Sequence, residues 1–144
     1  MYVTTILKVK GRSVITVRPD ATLHDVAQKL AAKRIGAVVV VGDNGDTCGI
    51  ISERDIMRAI GDRGAAALTA PVAEFMTRNV VTCSEHTAIE ELMETMTHGR
   101  FRHVPVTDED GALVGIISMG DVVRHHIAEV ELEVSAMRNY LTAG

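Results

Sequence analysis

The chain has 144 residues, 47% apolar, 24% charged and 3% aromatic, with a formal net charge of −4. That length fits one ordinary globular domain or two very small ones, and the apolar fraction excludes a disordered chain. The mild acidity argues against a nucleic-acid binder, and no aliphatic run exceeds Ala37–Val41, far short of the roughly 18–20 residues that span a bilayer.

In chain order, Val14–Val17 reads as a short extended stretch closed by a turn at Pro19-Asp20. Leu23, Val26, Ala27, Leu30 and Ala31 follow at helical spacing, with Thr22 as N-cap. Two strands, Ala37–Val41 and Thr47–Ser52, flank the turn Asp43-Asn44-Gly45-Asp46. A helix begins directly after Ser52, and Gly61–Pro71 (GDRGAAALTAP) reads as a flexible linker. A second extended stretch, Val80–Cys83, leads through Ser84-Glu85-His86 to a helix carrying Ile89, Leu92, Met93 and Met96, with Thr87 or Ser84 as its cap. The strands His103–Thr107 and Ala112–Ser118 then flank Asp108-Glu109-Asp110-Gly111. The last helix starts after Ser118 and runs to about Leu141. On it, Ile127, Val130, Val134, Met137 and Leu141 alternate at spacings of three and four, a seam for the body of the protein or for a second subunit.

These elements repeat. Shifting the chain by 66 residues aligns Val14–Ile60 with Val80–His126 without a gap and yields 12 identities, among them Arg34/Arg100, Gly49/Gly115, Ser52/Ser118, Asp55/Asp121 and Arg58/Arg124. Each copy is β-α-β-β-α. The period is too long for a solenoid, so two copies imply a pseudo-two-fold arrangement in which each half covers the other's apolar face.

The shared core of the repeat is GIISERD at 49–55 and GIISMGD at 115–121. A strand ends at the serine, and the aspartate falls in the first helical turn. Free backbone N–H groups and the serine hydroxyl suit a phosphate there. The aspartate repels phosphate but accepts two hydrogen bonds from a vicinal diol. Phosphate plus diol describes a ribonucleotide. The plainer alternative is that Ser52 and Ser118 only cap helices, while Asp55 and Asp121 only complement the helix dipoles.

The β-α-β-β-α repeat, the Met76-Thr77 before the second copy and the paired GIISxxD motifs resemble a tandem cystathionine-β-synthase-type (CBS) domain pair, or Bateman module, of the small stand-alone bacterial kind. The resemblance covers about residues 3–128. It implies an α+β fold of two repeats packed by their sheets with pseudo-two-fold symmetry, plus a C-terminal amphipathic helix. The implied boundaries are 3–62 for the first domain, 63–71 for a linker, 72–128 for the second domain and 129–144 for the helical extension. It further implies two clefts for adenosyl ligands such as AMP, ADP, ATP, NAD or S-adenosylmethionine, acting as effectors and not as required cofactors. Asp55 and Asp121 match the ribose-binding aspartate, Ser52 and Ser118 the phosphate-side hydroxyl, and Arg54 a phosphate contact. By the same resemblance Asp55 faces Thr77, Asn79, Val81, Phe101, Arg102 and His103. Asp121 faces Lys10, Ser13, Ile15, Ile35, Gly36 and Ala37.

The two clefts differ in composition. Around Asp55 stand Arg54, Arg102 and His103, all able to meet phosphates. Around Asp121, Gly120 replaces Arg54, Gly36-Ala37 replace Arg102-His103, and Lys10 is the nearby cation. The Asp55 cleft is therefore expected to take the tighter or more highly charged ligand.

The remaining signals are weaker. Cys48 and Cys83 lie in apolar runs without a CxxC pattern and read as small buried hydrophobes of a reducing compartment, not a disulfide. No secretory signal is evident, which points to the cytoplasm. Six histidines show no HExxH or Cys/His pairing, and the glycines form neither GxGxxG nor a Walker loop. The overall expectation is a ligand-sensing regulatory module without enzymatic activity, a homodimer that answers to an unidentified protein target. The competing readings are a ligand-free interaction scaffold and a nucleotide-processing enzyme.

Overall fold

The fold, obtained as a computed structural model, describes residues 1–143. The elements are α1 (Val3–Lys10), β1 (Thr16–Val17), α2 (Leu23–Lys33), β2 (Ala37–Val41), β3 (Thr47–Ser52), α3 (Glu53–Arg63), α4 (Ile89–Gly99), β4 (His103–Thr107), β5 (Leu113–Ser118) and α5 (Met119–Ala143). Two 3-10 turns, Gly64–Thr69 and Val72–Glu74, follow α3. Among the described residues no helix is long and apolar enough to cross a membrane.

Both hairpins form on the turn chemistry of their sequences. β2 and β3 pair antiparallel, as do β4 and β5, and each pair shifts register at the same place, Val40/Val41 and Val106/Thr107. Gly45 (φ 78°) and Gly111 (φ 81°) supply the left-handed residue that closes each turn. β1 adds parallel to β2, giving three strands in the first half and two in the second.

That difference corrects the expected stretch Val80–Cys83, where only Cys83 makes a bridge, to Val106. In the first half the Val39 N–H donates to Ile15 O at 3.3 Å. The repeat places Pro105 at the position of Val39, and proline has no N–H to donate. The strand is lost with its donor.

The caps divide likewise. Thr22 caps α2 in a capping box with Asp25, as its sequence indicates. The N-cap of α4 is Ala88, without a side-chain bond, because Thr87 Oγ1 turns back to accept from Ser84 N at 3.1 Å. The segment read as a flexible linker is ordered: its 3-10 turn buries Ala67 completely.

The core is double, and each half is completed by a segment that precedes the other repeat. Val17, Leu23, Val26, Val38, Val40 and Ile51 of the first repeat pack with Ala67, Val72 and Met76. Ile89, Leu92, Met96, Val104, Val106 and Ile117 of the second pack with Val3, Ile6 and Leu7 of α1. In this second cluster Val3 and Ile6 of α1, Ile89 of α4, and Val104, Val106 and Ile117 of the strands have no accessible surface at all, so the exchange is buried and not superficial. The sequence periodicity does not reveal α1, which the repeat leaves without a counterpart.

The shared glycines mark the same junction. A Cβ on Gly49 would lie 2.5 Å from Met76 Sδ, and one on Gly115 would lie 2.7 Å from Leu7 Cδ2. Each glycine lets the exchanged segment approach the hairpin. Cys48 and Cys83 are free and half-buried, and burial, with help from Glu91, raises the Cys83 thiol to about 11.

Candidate functional site

β3 ends at Ser52, whose extended backbone turns the chain into α3. The Asp55 N–H donates to Ser52 Oγ at 3.3 Å, and Asp55 Oδ2 accepts from Ser52 N at 2.9 Å and from Ser52 Oγ at 3.0 Å. This capping box occupies one carboxylate oxygen. Among the described residues Oδ1 meets no donor and remains available.

Asp55 stands in the wall of a cavity of about 330 Å³. Ser52 and Arg54 join it from the first half; Thr77, Asn79 and Val81 from the segment before α4; and Phe101, Arg102 and His103 from the junction of α4 with β4. Asp55 and the eight residues grouped around it in the sequence analysis thus line one space. Gly36 and Ala37, assigned there to the other cleft, line it too.

Sequence reasoning missed Ile50, Glu53, Arg58, Val80, Gly99 and Arg100 as lining residues. A signal existed for two of them. Arg58 lies one helical turn beyond Arg54 on the same face, and both Arg58 and Arg100 are identities of the repeat. Arg54, Arg58, Arg100 and Arg102 all face this cavity, and none is ion-paired among the described residues. Four guanidiniums against Glu53 and Asp55 leave the cavity cationic, which suits phosphate.

His103 is the half-buried member of the cationic wall. Burial lowers its pKa from the ordinary value, Lys10 and Arg102 add to that, and Glu53 and Asp121 oppose it. Phe101 offers a flat ring beside it, held over Gly99, where a Cβ would overlap the ring. An aromatic face, a carboxylate and several cations can hold a base, a diol and a phosphate respectively.

The Asp121 side is built differently. Ser118 N donates to Asp121 Oδ2 at 2.9 Å, repeating the cap of α3. Lys10 Nζ also reaches Oδ2 at 2.7 Å, and Arg124 reaches Oδ1 at 2.7 Å. Burial alone would raise the carboxyl, but the bonds from Lys10 and Ser118 hold it below the ordinary carboxylate value. The structure therefore brings Lys10, Ser118 and Asp121 together, Lys10 and Asp121 as an ion pair and Ser118 as the cap. Ser13 is exposed, while Ile15 and Ile35 pack against the first core cluster.

A family model described as CBS domain matches residues 8–62 and 72–127. A CBS-domain protein of Agrobacterium tumefaciens, ATU1752, is 48% identical with a TM-score of 0.85, covering 88% of this chain and 99% of that one. The CBS-domain pair of protein MJ0100, solved with 5′-methylthioadenosine and S-adenosyl-L-methionine, is 26% identical with a TM-score of 0.80, covering 90% and 98%. The CBS-domain protein PAE2072 of Pyrobaculum aerophilum, solved with AMP, is 28% identical with a TM-score of 0.75, covering 84% and 89%. With two matched repeats that span most of its length, the chain belongs to the CBS-domain family and is a tandem CBS pair.

Proposed function

We propose that this chain is a regulatory module that binds an adenosine nucleotide in the cavity beside Asp55. The convergence of a free carboxylate oxygen, an aromatic ring and four unpaired arginines on one cavity of about 330 Å³ carries the reading. Asp55 Oδ1 accepts from the ribose hydroxyls, Phe101 lies against the base, and the arginines and the N–H groups at the start of α3 meet phosphate. The adenosyl ligands held by MJ0100 and PAE2072 support the ligand class.

The ligand bridges the halves, since Ser52 and Asp55 belong to the first and Asn79, Phe101 and Arg102 to the second. Occupancy then biases their relative position, which a partner reads. A second copy of the chain is part of this proposal. Ile127, Val130, Val134, Met137 and Leu141 are exposed along α5 at spacings of three and four, a seam that a dimer would cover.

Calorimetric titration with AMP, ATP, NAD and S-adenosylmethionine tests the reading, alongside thermal shift. Ligand at 100 times its dissociation constant raises stability by about 2.7 kcal/mol. Failure of all four to bind or stabilise would leave the scaffold reading in its place, and turnover of any of them would favour the enzyme.

A further inference from the structure

α5 is 25 residues long, and only its first part rests on the body. It packs against α1, α4 and β5, and Asp121, Val122, His125, His126 and Glu129 are buried or half-buried there. From Val130 to Ala143 every residue is exposed. At about 100° per residue the body-facing residues centre near Val122. Val123, Ile127, Val130, Val134, Met137 and Leu141 centre about 100° away from it. All six are exposed, so an apolar stripe about 27 Å long runs along a flank that the body leaves free.

The charges beside the stripe select what covers it. In heptad terms Ile127, Val134 and Leu141 are a residues, and Val123, Val130 and Met137 are d residues. Arg124, Glu131 and Arg138 then fall at e, and His126, Glu133 and Tyr140 at g. In a parallel pair each g residue faces the e residue of the partner's next heptad. Glu133 therefore meets the partner's Arg138, and His126 meets the partner's Glu131. An antiparallel pair in full overlap sets e against e and g against g instead. It would place Glu131 on the partner's Glu131, Glu133 on the partner's Glu133, and Arg124 on the partner's Arg138. All three charged pairs repel, which selects against that arrangement.

We propose that α5 pairs with the α5 of a second copy as a parallel, in-register, two-stranded coil. Glu133 and Arg138 join across its flanks, as do His126 and Glu131. The two bodies then stand at the same end of the coil, on opposite sides of it. No residue of α5 lines the Asp55 cavity, so the pairing uses none of that site. The inference rests on the second-copy part of the reading above and not on the ligand.

Analytical ultracentrifugation of the full chain gives the mass and the dimer dissociation constant. The wild type is a dimer, and Val130→Asp with Val134→Asp leaves a monomer. Glu133→Arg weakens the dimer about tenfold, and adding Arg138→Glu restores it, because each swapped residue meets its new complement. A second variant reads the orientation directly. In a Cys48→Ser, Cys83→Ser background, Val130→Cys cross-links to its own copy on mild oxidation, since d residues face each other in a parallel pair. In the antiparallel pair Val130 faces the partner's Val134, and that cross-link does not form. A monomeric wild type overturns the inference and the second-copy reading together, and leaves the nucleotide reading standing. A dimer that survives Val130→Asp with Val134→Asp overturns the inference alone. So does a charge-swapped double variant no tighter than Glu133→Arg, or a dimer in which Val130→Cys fails to cross-link.

Discussion

His103 lies against Gly36: a Cβ built on Gly36 would stand 3.1 Å from the imidazole Cε1 and 3.3 Å from Nε2. Gly36 immediately precedes β2, and His103 opens β4, so this contact joins the two halves at the cavity wall. Gly36→Val therefore pushes the imidazole into the ligand space. The expected result is an affinity loss of about tenfold, ~1.4 kcal/mol, by calorimetry. Gly36→Val added to His103→Ala is expected to cost little beyond His103→Ala alone; full additivity of the two losses would contradict the steric account.

Asp55 has two tasks, capping α3 and presenting an oxygen to the cavity, and they can be separated. Asp55→Ala costs about 0.5–2 kcal/mol of stability through the lost cap. It also removes the acceptor for the diol, lowering affinity by roughly tenfold or more, since hydrogen bonds to a charged group contribute about 1.5–3 kcal/mol. Asp25 occupies the same place in the capping box of α2 but does not line the cavity. Asp25→Ala is expected to lower the melting temperature comparably and leave affinity unchanged. Equal affinity losses from the two substitutions would mean that Asp55 acts only through its helix.

Nucleotide affinity is expected to rise as the pH falls from about 7.5 to about 6. Burial keeps His103 neutral in the free protein below the pH at which an exposed histidine, with its pKa of ~6.5, begins to charge. The sign for stability follows: the unfolded chain binds the proton more readily, so this contribution is full above about pH 6.5 and declines below it. A bound phosphate favours the imidazolium and reverses the shift, drawing in a proton on binding. Calorimetry across that range, in buffers of different ionisation enthalpy, reads the proton uptake. His103→Gln should flatten the profile, and a flat wild-type profile would place phosphate away from this ring.

Acid weakens the link between α1 and α5. Asp121 is held below the ordinary carboxylate value in the folded chain despite its burial, so its contribution is complete above the unfolded value of ~3.9. It disappears as the pH falls through the lower folded value. Lys10→Met removes the main partner, and an acid titration followed by circular dichroism should then show the wild-type advantage shrinking below about pH 4. Identical acid transitions for the two proteins would show that the pair contributes nothing to stability.

The serine and aspartate of the site are legible in the sequence because they are local, and its more distant residues came from the family resemblance. The GIISxxD spacing puts a serine and an aspartate on one helix turn wherever the helix packs, and the turn signals at Gly45 and Gly111 set both hairpins. Arg58 escaped notice although its spacing from Arg54 marked it, because a charged residue one turn away also reads as a solvated face. Pro105 carried its own warning: it stands where Val39 donates a hydrogen bond, and the second copy of β1 is missing for that reason.

Sequence alone determined the duplication, the hairpins and their helices, since short-range periodicity and backbone hydrogen bonding dictate these, while the residues gathered around Asp55 followed from the family resemblance. Only the tertiary structure decided that α1 completes the core of the distant repeat and that Lys10 lands on Asp121 while Asp55 keeps an open oxygen. A repeat treats its two copies as equals. The segments that reach them from across the molecule differ in conformation, and contacts between residues more than a hundred positions apart leave no periodic trace.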